Sequence, residues 1–120
     1  MIPVLIPPLP THYMGDTWKS LLGFGPILID DAQPPNYLVS CRMQFRDRSV
    51  LGYELNSAPE AGEGTLTITN SATWEIAVPG QPLPLTSGIW LWDFETVDSE
   101  DIILTLYKGS IRVEKDVTYD

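Results

Sequence analysis

Cysteine, histidine and positive charge are scarce in this chain: 120 residues hold one Cys, one His and seven Lys or Arg against sixteen Asp or Glu, a formal net charge of −9. Each scarcity excludes a class of chemistry. Cys41 alone cannot form an intramolecular disulfide, so packing must hold the fold. His12 alone removes most metal-ligand sets and general-base schemes, and it sits beside a proline-rich stretch where a rigid site is not expected. An acidic chain lacks the electrostatic footprint of a nucleic-acid binder, whose affinity comes largely from neutralising phosphates. No apolar run approaches the roughly 20 residues of a membrane span, and the apolar start has neither the basic lead nor the unbroken run of a signal peptide. Apolar residues at i, i+3 and i+4 are never sustained, so no helix is expected. Gly-rich phosphate loops, Cys-x-x-Cys pairs and His-Glu helix motifs are missing as well. No cofactor and no metal are expected.

What is present is strand and turn signal. Residues 1–12 begin with four prolines among the first ten residues, which fix φ and remove backbone donors. They read as an extended arm exposing Ile2, Val4, Leu5, Ile6 and Leu9 unless something covers them. Three states stay open for the arm: an edge strand on its own sheet, a strap to a neighbouring subunit, or disorder. Residues 13–120 form one domain, since a chain of this size removes roughly two thirds of its unfolded surface from water.

Asp16 to Phe24 is the first expected strand of that domain. Val39, Cys41, Met43 and Phe45 alternate with Ser40, Arg42, Gln44 and Arg46, which predicts one core face and one outer face. Leu51 to Leu55 is a short strand. Thr65 to Thr69 and Trp74 to Pro79 read as a hairpin with Leu66, Ile68, Trp74, Ile76 and Val78 inward. Ile89 to Thr96 is apolar on both faces, with Trp90, Trp92 and Phe94 alternating with Ile89 and Leu91. Such a strand is central, or has its outer face covered by another element or chain. Ile102 to Tyr107 and Ile111 to Lys115 read as a second hairpin around a Lys108-Gly109-Ser110 turn. Asp116 to Asp120 is a polar exit. The residues thus predict an all-β chain of about eight short strands, as an antiparallel sandwich or a small barrel.

Three candidate sites arise from the carboxylates and aromatics. Asp98-Ser99-Glu100-Asp101 could donate oxygens to Ca²⁺ with Asp30 and Asp31, although it lacks the Asp-x-Asp-x-Asp-Gly spacing of a calcium loop. A solvated turn is the simpler reading. Asp93, between Trp92 and Phe94, could be a catalytic acid with a raised pKa or a structural acceptor for Arg42 or Arg46. The structural role is favoured, because no second acid is placed to work with it. Trp90 or Trp92, if exposed, could stack on a sugar ring, making a small carbohydrate-binding module the alternative function.

The order of the motifs resembles a family of tailed-bacteriophage virion proteins, the N-terminal domain of baseplate upper proteins and short stand-alone relatives. The resemblance rests on Gly15-Asp16-Thr17-Trp18, Leu28-Ile29-Asp30, and Tyr37 with Cys41-Arg42-Met43-Gln44-Phe45-Arg46. Downstream it rests on Leu66-x-Ile68, Trp74-x-Ile76-x-Val78-Pro79, and the run from Leu85-Thr86-Ser87-Gly88 to Trp92-Asp93-Phe94-Glu95. Leu104 to Val113, followed by Asp116-Val117-Thr118, closes it. It implies an immunoglobulin-like β-sandwich that attaches receptor-binding parts or neighbouring subunits in a tail, baseplate or fibre region. A full baseplate upper protein would continue into a linker and a receptor-binding part, so an adaptor role is expected here. The expected protein is a non-enzymatic virion component assembled in the host cytoplasm, with copies of itself and other virion structural proteins as partners. A homo-oligomer within a symmetric assembly is expected, without nucleic acid or membrane, and with its interface at the arm residues named above together with Trp90 and Trp92.

Overall fold

Alternation places the centre of the fold on two long strands, β5 (Leu38–Asp47) and β11 (Gly88–Asp98), paired antiparallel so that Phe45 faces Trp92 and Met43 faces Phe94. The structure, a computed structural model, describes residues 2–115. Its other strands are β1 (Val4–Leu5), β2 (Leu9–Tyr13), β3 (Thr17–Trp18), β4 (Gly23–Phe24), β6 (Val50–Asn56), β7 (Gly64–Thr65), β8 (Thr67–Asn70), β9 (Glu75–Ala77), β10 (Gln81–Pro82) and β12 (Ile103–Glu114). No helix occurs among the described residues.

The large sheet runs β1-β12-β11-β5-β6-β7, with β2 also pairing with β12. A three-stranded sheet, β4-β9-β8, and the β10-β3 pair complete an all-β, immunoglobulin-like sandwich. Phe24 of the small sheet stacks on Phe94 and Tyr107 of the large one, with ring centroids 4.2 and 5.1 Å apart. Trp18 meets Phe45 edge to face at 5.8 Å, and the Trp74 indole donates to the Asn36 carbonyl at 2.8 Å. Aromatic pairs therefore join the layers.

Several expected elements differ. The strand expected over Asp16 to Phe24 is two short strands in different sheets, β3 and β4. The strand expected over Thr65 to Thr69 is divided as well: Gly64 and Thr65 pair with β6, Leu66 turns into the core, and Thr67 onward pairs with β9. The β8-β9 hairpin is present, but Trp74 lies in its turn at φ 55° and reaches the core from there. Val39 is exposed rather than inward. Leu38 opposes Asp98 while Ser40 opposes Val97, so Val39 is the extra residue of a bulge and Leu38 takes the core position.

The expected second hairpin does not exist: Ile103 to Glu114 is one continuous strand. Gly109 lies mid-strand opposite Trp92, and a Cβ there would sit 2.5 Å from the indole Cζ2. The glycine is required for close approach, not for a turn. Gly52 plays the same part under Trp90.

The arm runs along the edge of β12 in parallel pairing, Val4 beside Tyr107 and Leu9 beside Ile111. Its β2 segment continues through residues 12 and 13, where the boundary between arm and domain was expected. His12 is buried, with burial pushing its pKa below the ordinary value against the opposing charge of Asp16. The expected polar exit, Asp116 to Asp120, and the Asp116-Val117-Thr118 motif lie outside the described residues.

Candidate functional site

The outer face of the large sheet follows from the register of β11. Because Trp90, Trp92, Phe94 and Thr96 point inward and are buried, Ile89, Leu91, Asp93 and Glu95 must point out. Cross-strand neighbours share that face: Arg112 beside Ile89, Ser110 and Arg46 beside Leu91, Lys108 and Gln44 beside Asp93, and Arg42 beside Glu95. Leu5 of the arm adds to the row of Lys108 and Asp93.

The interface residues named from sequence divide into three groups. Ile2, Val4 and Leu5 are exposed, at 90%, 56% and 78%. Ile6 and Leu9 are half-buried against the core. Trp90 and Trp92 are buried, which corrects their expected place in an interface: they form the inner face of β11, and neither indole offers a surface for a sugar ring. The apolar groups that β11 leaves outside are Ile89 and Leu91, at 49% and 55% exposure. Apolarity on both faces gives no sign of which set turns outward. The signal lies in Gly52 and Gly109 on other strands, whose missing side chains admit the indoles.

Leu5 and Leu91 line a groove of about 310 Å³ with Arg46, Arg48, Asp93 and Lys108. Asp93 is raised above the ordinary carboxylate value by burial and then by Glu95, against the opposing pull of Arg46, Lys108 and Arg42. Glu95, the acid nearest to it along the strand, is held by Arg42 at 2.9 Å. Below it, Gln44 donates to Glu54 at 2.6 Å and accepts from Arg46 at 2.7 Å, so this part of the face is tied down by a polar ladder. The arrangement fixes side chains in place on an open sheet surface.

The acidic turn after β11 satisfies itself. Asp98 is buried, its Oδ1 accepting from the amides of Glu100 and Ile102 at 2.9 and 3.0 Å and its Oδ2 accepting from the Asn36 side chain at 3.1 Å. Burial pushes its carboxyl up, but the hydrogen bonds from Ile102, Asn36 and Glu100 outweigh it and hold the group below the ordinary value. Among the described residues no group of three or more His, Cys, Asp or Glu is placed to hold a metal ion. A folded pKa below the unfolded one gives stability that is full above the unfolded pKa and lost as pH falls through the folded one. Asp98→Asn is therefore expected to lower the melting temperature at neutral pH, with the deficit narrowing as pH falls below about 4, the value of the unfolded carboxyl, and toward the lower folded one. A deficit independent of pH in thermal scans would contradict this role. Chelator is expected to leave the melting temperature unchanged.

Cys41 is buried on the inner face of β5, and burial pushes its thiol up to about 12 despite the opposing hydrogen bond from Ser57. A thiol so placed is a core group and not a nucleophile at neutral pH. No described helix is long and apolar enough to cross a membrane.

No protein-family model matches the chain, and no curated protein matches it in sequence. Among solved structures it is similar to CopC from Methylosinus trichosporium OB3b, at 12% identity and a TM-score of 0.38, over 70% of this chain and 74% of that one. A likeness of that degree carries no argument about function.

Proposed function

We propose that this protein is a non-enzymatic assembly module, an adaptor in the tail, baseplate or fibre attachment region of a bacteriophage virion, assembled in the host cytoplasm. The observation that carries the reading is the exposed aliphatic face formed by the arm and the outer side of β11. Leu5, Ile89 and Leu91 stand out on one side of the sheet with no covering element among the described residues, and Ile2 and Val4 of the arm are exposed beside its edge. Contiguous apolar surface of this kind marks sites of protein association. The family resemblance of the strand motifs supplies the virion setting. The sandwich serves as the block, the arm and the outer face serve as contacts to copies of itself and to other virion structural proteins, and no chemistry is required.

Antibody labelling of intact particles tests this reading. Gold is expected at the tail or its baseplate, and particles assembled without the protein are expected to lack the attached fibres. Label confined to unassembled protein, with complete particles formed in its absence, would overturn it.

A further inference from the structure

Positive charge is scarce in this chain and unevenly placed. Four of the seven cations, Arg42, Arg46, Lys108 and Arg112, lie on the outer face of the large sheet, and Arg48 lines the groove beside them. Arg42 is engaged by Glu95, and Arg112 lies 3.6 Å from Glu114. Among the described residues, Arg46, Arg48 and Lys108 lie within salt-bridge distance of no carboxylate. Asp93 is the one acid lining the same groove, so the groove combines three cations, one acid and the aliphatic groups Leu5 and Leu91.

Arg48 is one of five non-glycine residues with positive φ among the described residues. It is the first residue of the two-residue turn between Asp47 and Val50 and has φ 59°, where glycine is the favoured residue.

The complementary surface stands at the other end of the same ladder. Leu91 opposes Arg46 and Asp98 opposes Leu38, so the two ends are about 23 Å apart at the usual strand rise. Just beyond Asp98, Glu100 and Asp101 are exposed, flanked by exposed Tyr37, Ile102 and Ile103. One end therefore offers cations around two leucines, and the other offers acids beside isoleucines and a tyrosine.

We infer that the occupant of the groove is a second copy of this chain, whose Ser99–Ile103 turn seats its acids against Arg46, Arg48 and Lys108 and its isoleucines against Leu5 and Leu91. The contact is head to tail, so a pair keeps one groove and one turn free for further copies, closing into a ring or extending as a stack. This inference rests on the assembly reading above and specifies the surfaces through which assembly occurs.

The test is sedimentation analysis of the full chain and its charge variants. Wild-type protein is expected to self-associate, more weakly as salt is raised. Arg46→Glu with Arg48→Glu is expected to weaken association at least tenfold. Glu100→Lys with Asp101→Asn is expected to do the same, asparagine being chosen because Asp101 has φ 61°. An equimolar mixture of the two variants is expected to regain association as a heterodimer, the intact turn of one seated in the intact groove of the other. Arg48→Gly relieves the turn, so it is expected to weaken association while leaving the melting temperature unchanged or raised, which separates loss of contact from loss of fold. Variants that associate as the wild type does would overturn this placement of the interface while leaving assembly itself standing. A wild-type protein that stays monomeric would overturn both.

Discussion

Replacing Gly109 with alanine is expected to destabilise the protein by about 2–3 kcal/mol, the upper part of the range for forcing an extra methyl into a close-packed site. The new Cβ would sit 2.5–2.8 Å from Cζ2, Cε2 and Nε1 of Trp92, an indole that is itself buried and has no room to retreat. In a domain of this size that corresponds to a fall of roughly 8–12 °C in melting temperature. Asparagine, which suits a left-handed turn, is expected to be worse than alanine because it is larger. Were Gly109 the turn of a hairpin, asparagine would be the milder replacement, so the order of the two variants in denaturant melts separates a continuous strand from a turn. In a Trp92→Leu background the penalty for Gly109→Ala is expected to fall below about 1 kcal/mol, the non-additivity of residues in direct contact.

Phe94→Ala is expected to be larger still, about 3–5 kcal/mol by the usual cost of deleting a fully buried aromatic. Phe94 has no exposed surface, and its ring stacks on Phe24 from the opposite sheet at 4.2 Å. The truncation removes the contact that joins the layers and leaves a cavity between two long strands that cannot collapse. Against a total stability of about 5–15 kcal/mol, this variant is expected to be marginal or unfolded at physiological temperature. Phe24→Ala removes the half-buried partner and is expected to cost less, with the pair coupled in a double-mutant cycle. A Phe94→Ala cost below about 1 kcal/mol in urea titration would mean that the sheets are not joined here.

Alternation made β5 and the β8-β9 hairpin legible from the sequence, because one core face and one outer face impose a period of two. Trp74, Ile76 and Val78 are all buried as their spacing predicts, although Trp74 belongs to a turn. What was not legible depends on groups distant in sequence. Glycine in a tight turn and glycine beneath an indole look alike until the opposing strand is placed, so the local sequence at Gly109 suggests a turn where the chain continues as one long strand. The Asp47–Val50 hairpin has no turn signature, because its turn carries arginine where glycine or asparagine would announce it. The bulge at Val39 shifts the phase by one residue through pairing with β11, and no local pattern records that.

The interface residues divide along the same line. The arm's exposed aliphatics could be found from sequence because prolines deny them a helix and the run is apolar. Ile89 and Leu91 could not be told from Trp90 and Trp92, since β11 is apolar on both sides. The groove cations were visible individually but not as a group, because Arg46, Arg48 and Lys108 come together only through the β5-β11-β12 pairing.

The claim that this protein works by assembling through its outer sheet face is tested most directly by sedimentation velocity on the full chain over a wide concentration range, with Leu5→Glu/Leu91→Glu alongside. The wild type is expected to sediment faster than its 13.4 kDa monomer as concentration rises, and the double variant to remain monomeric with an unchanged melting temperature. A wild-type protein that sediments as a single monomeric species at every concentration would contradict the account.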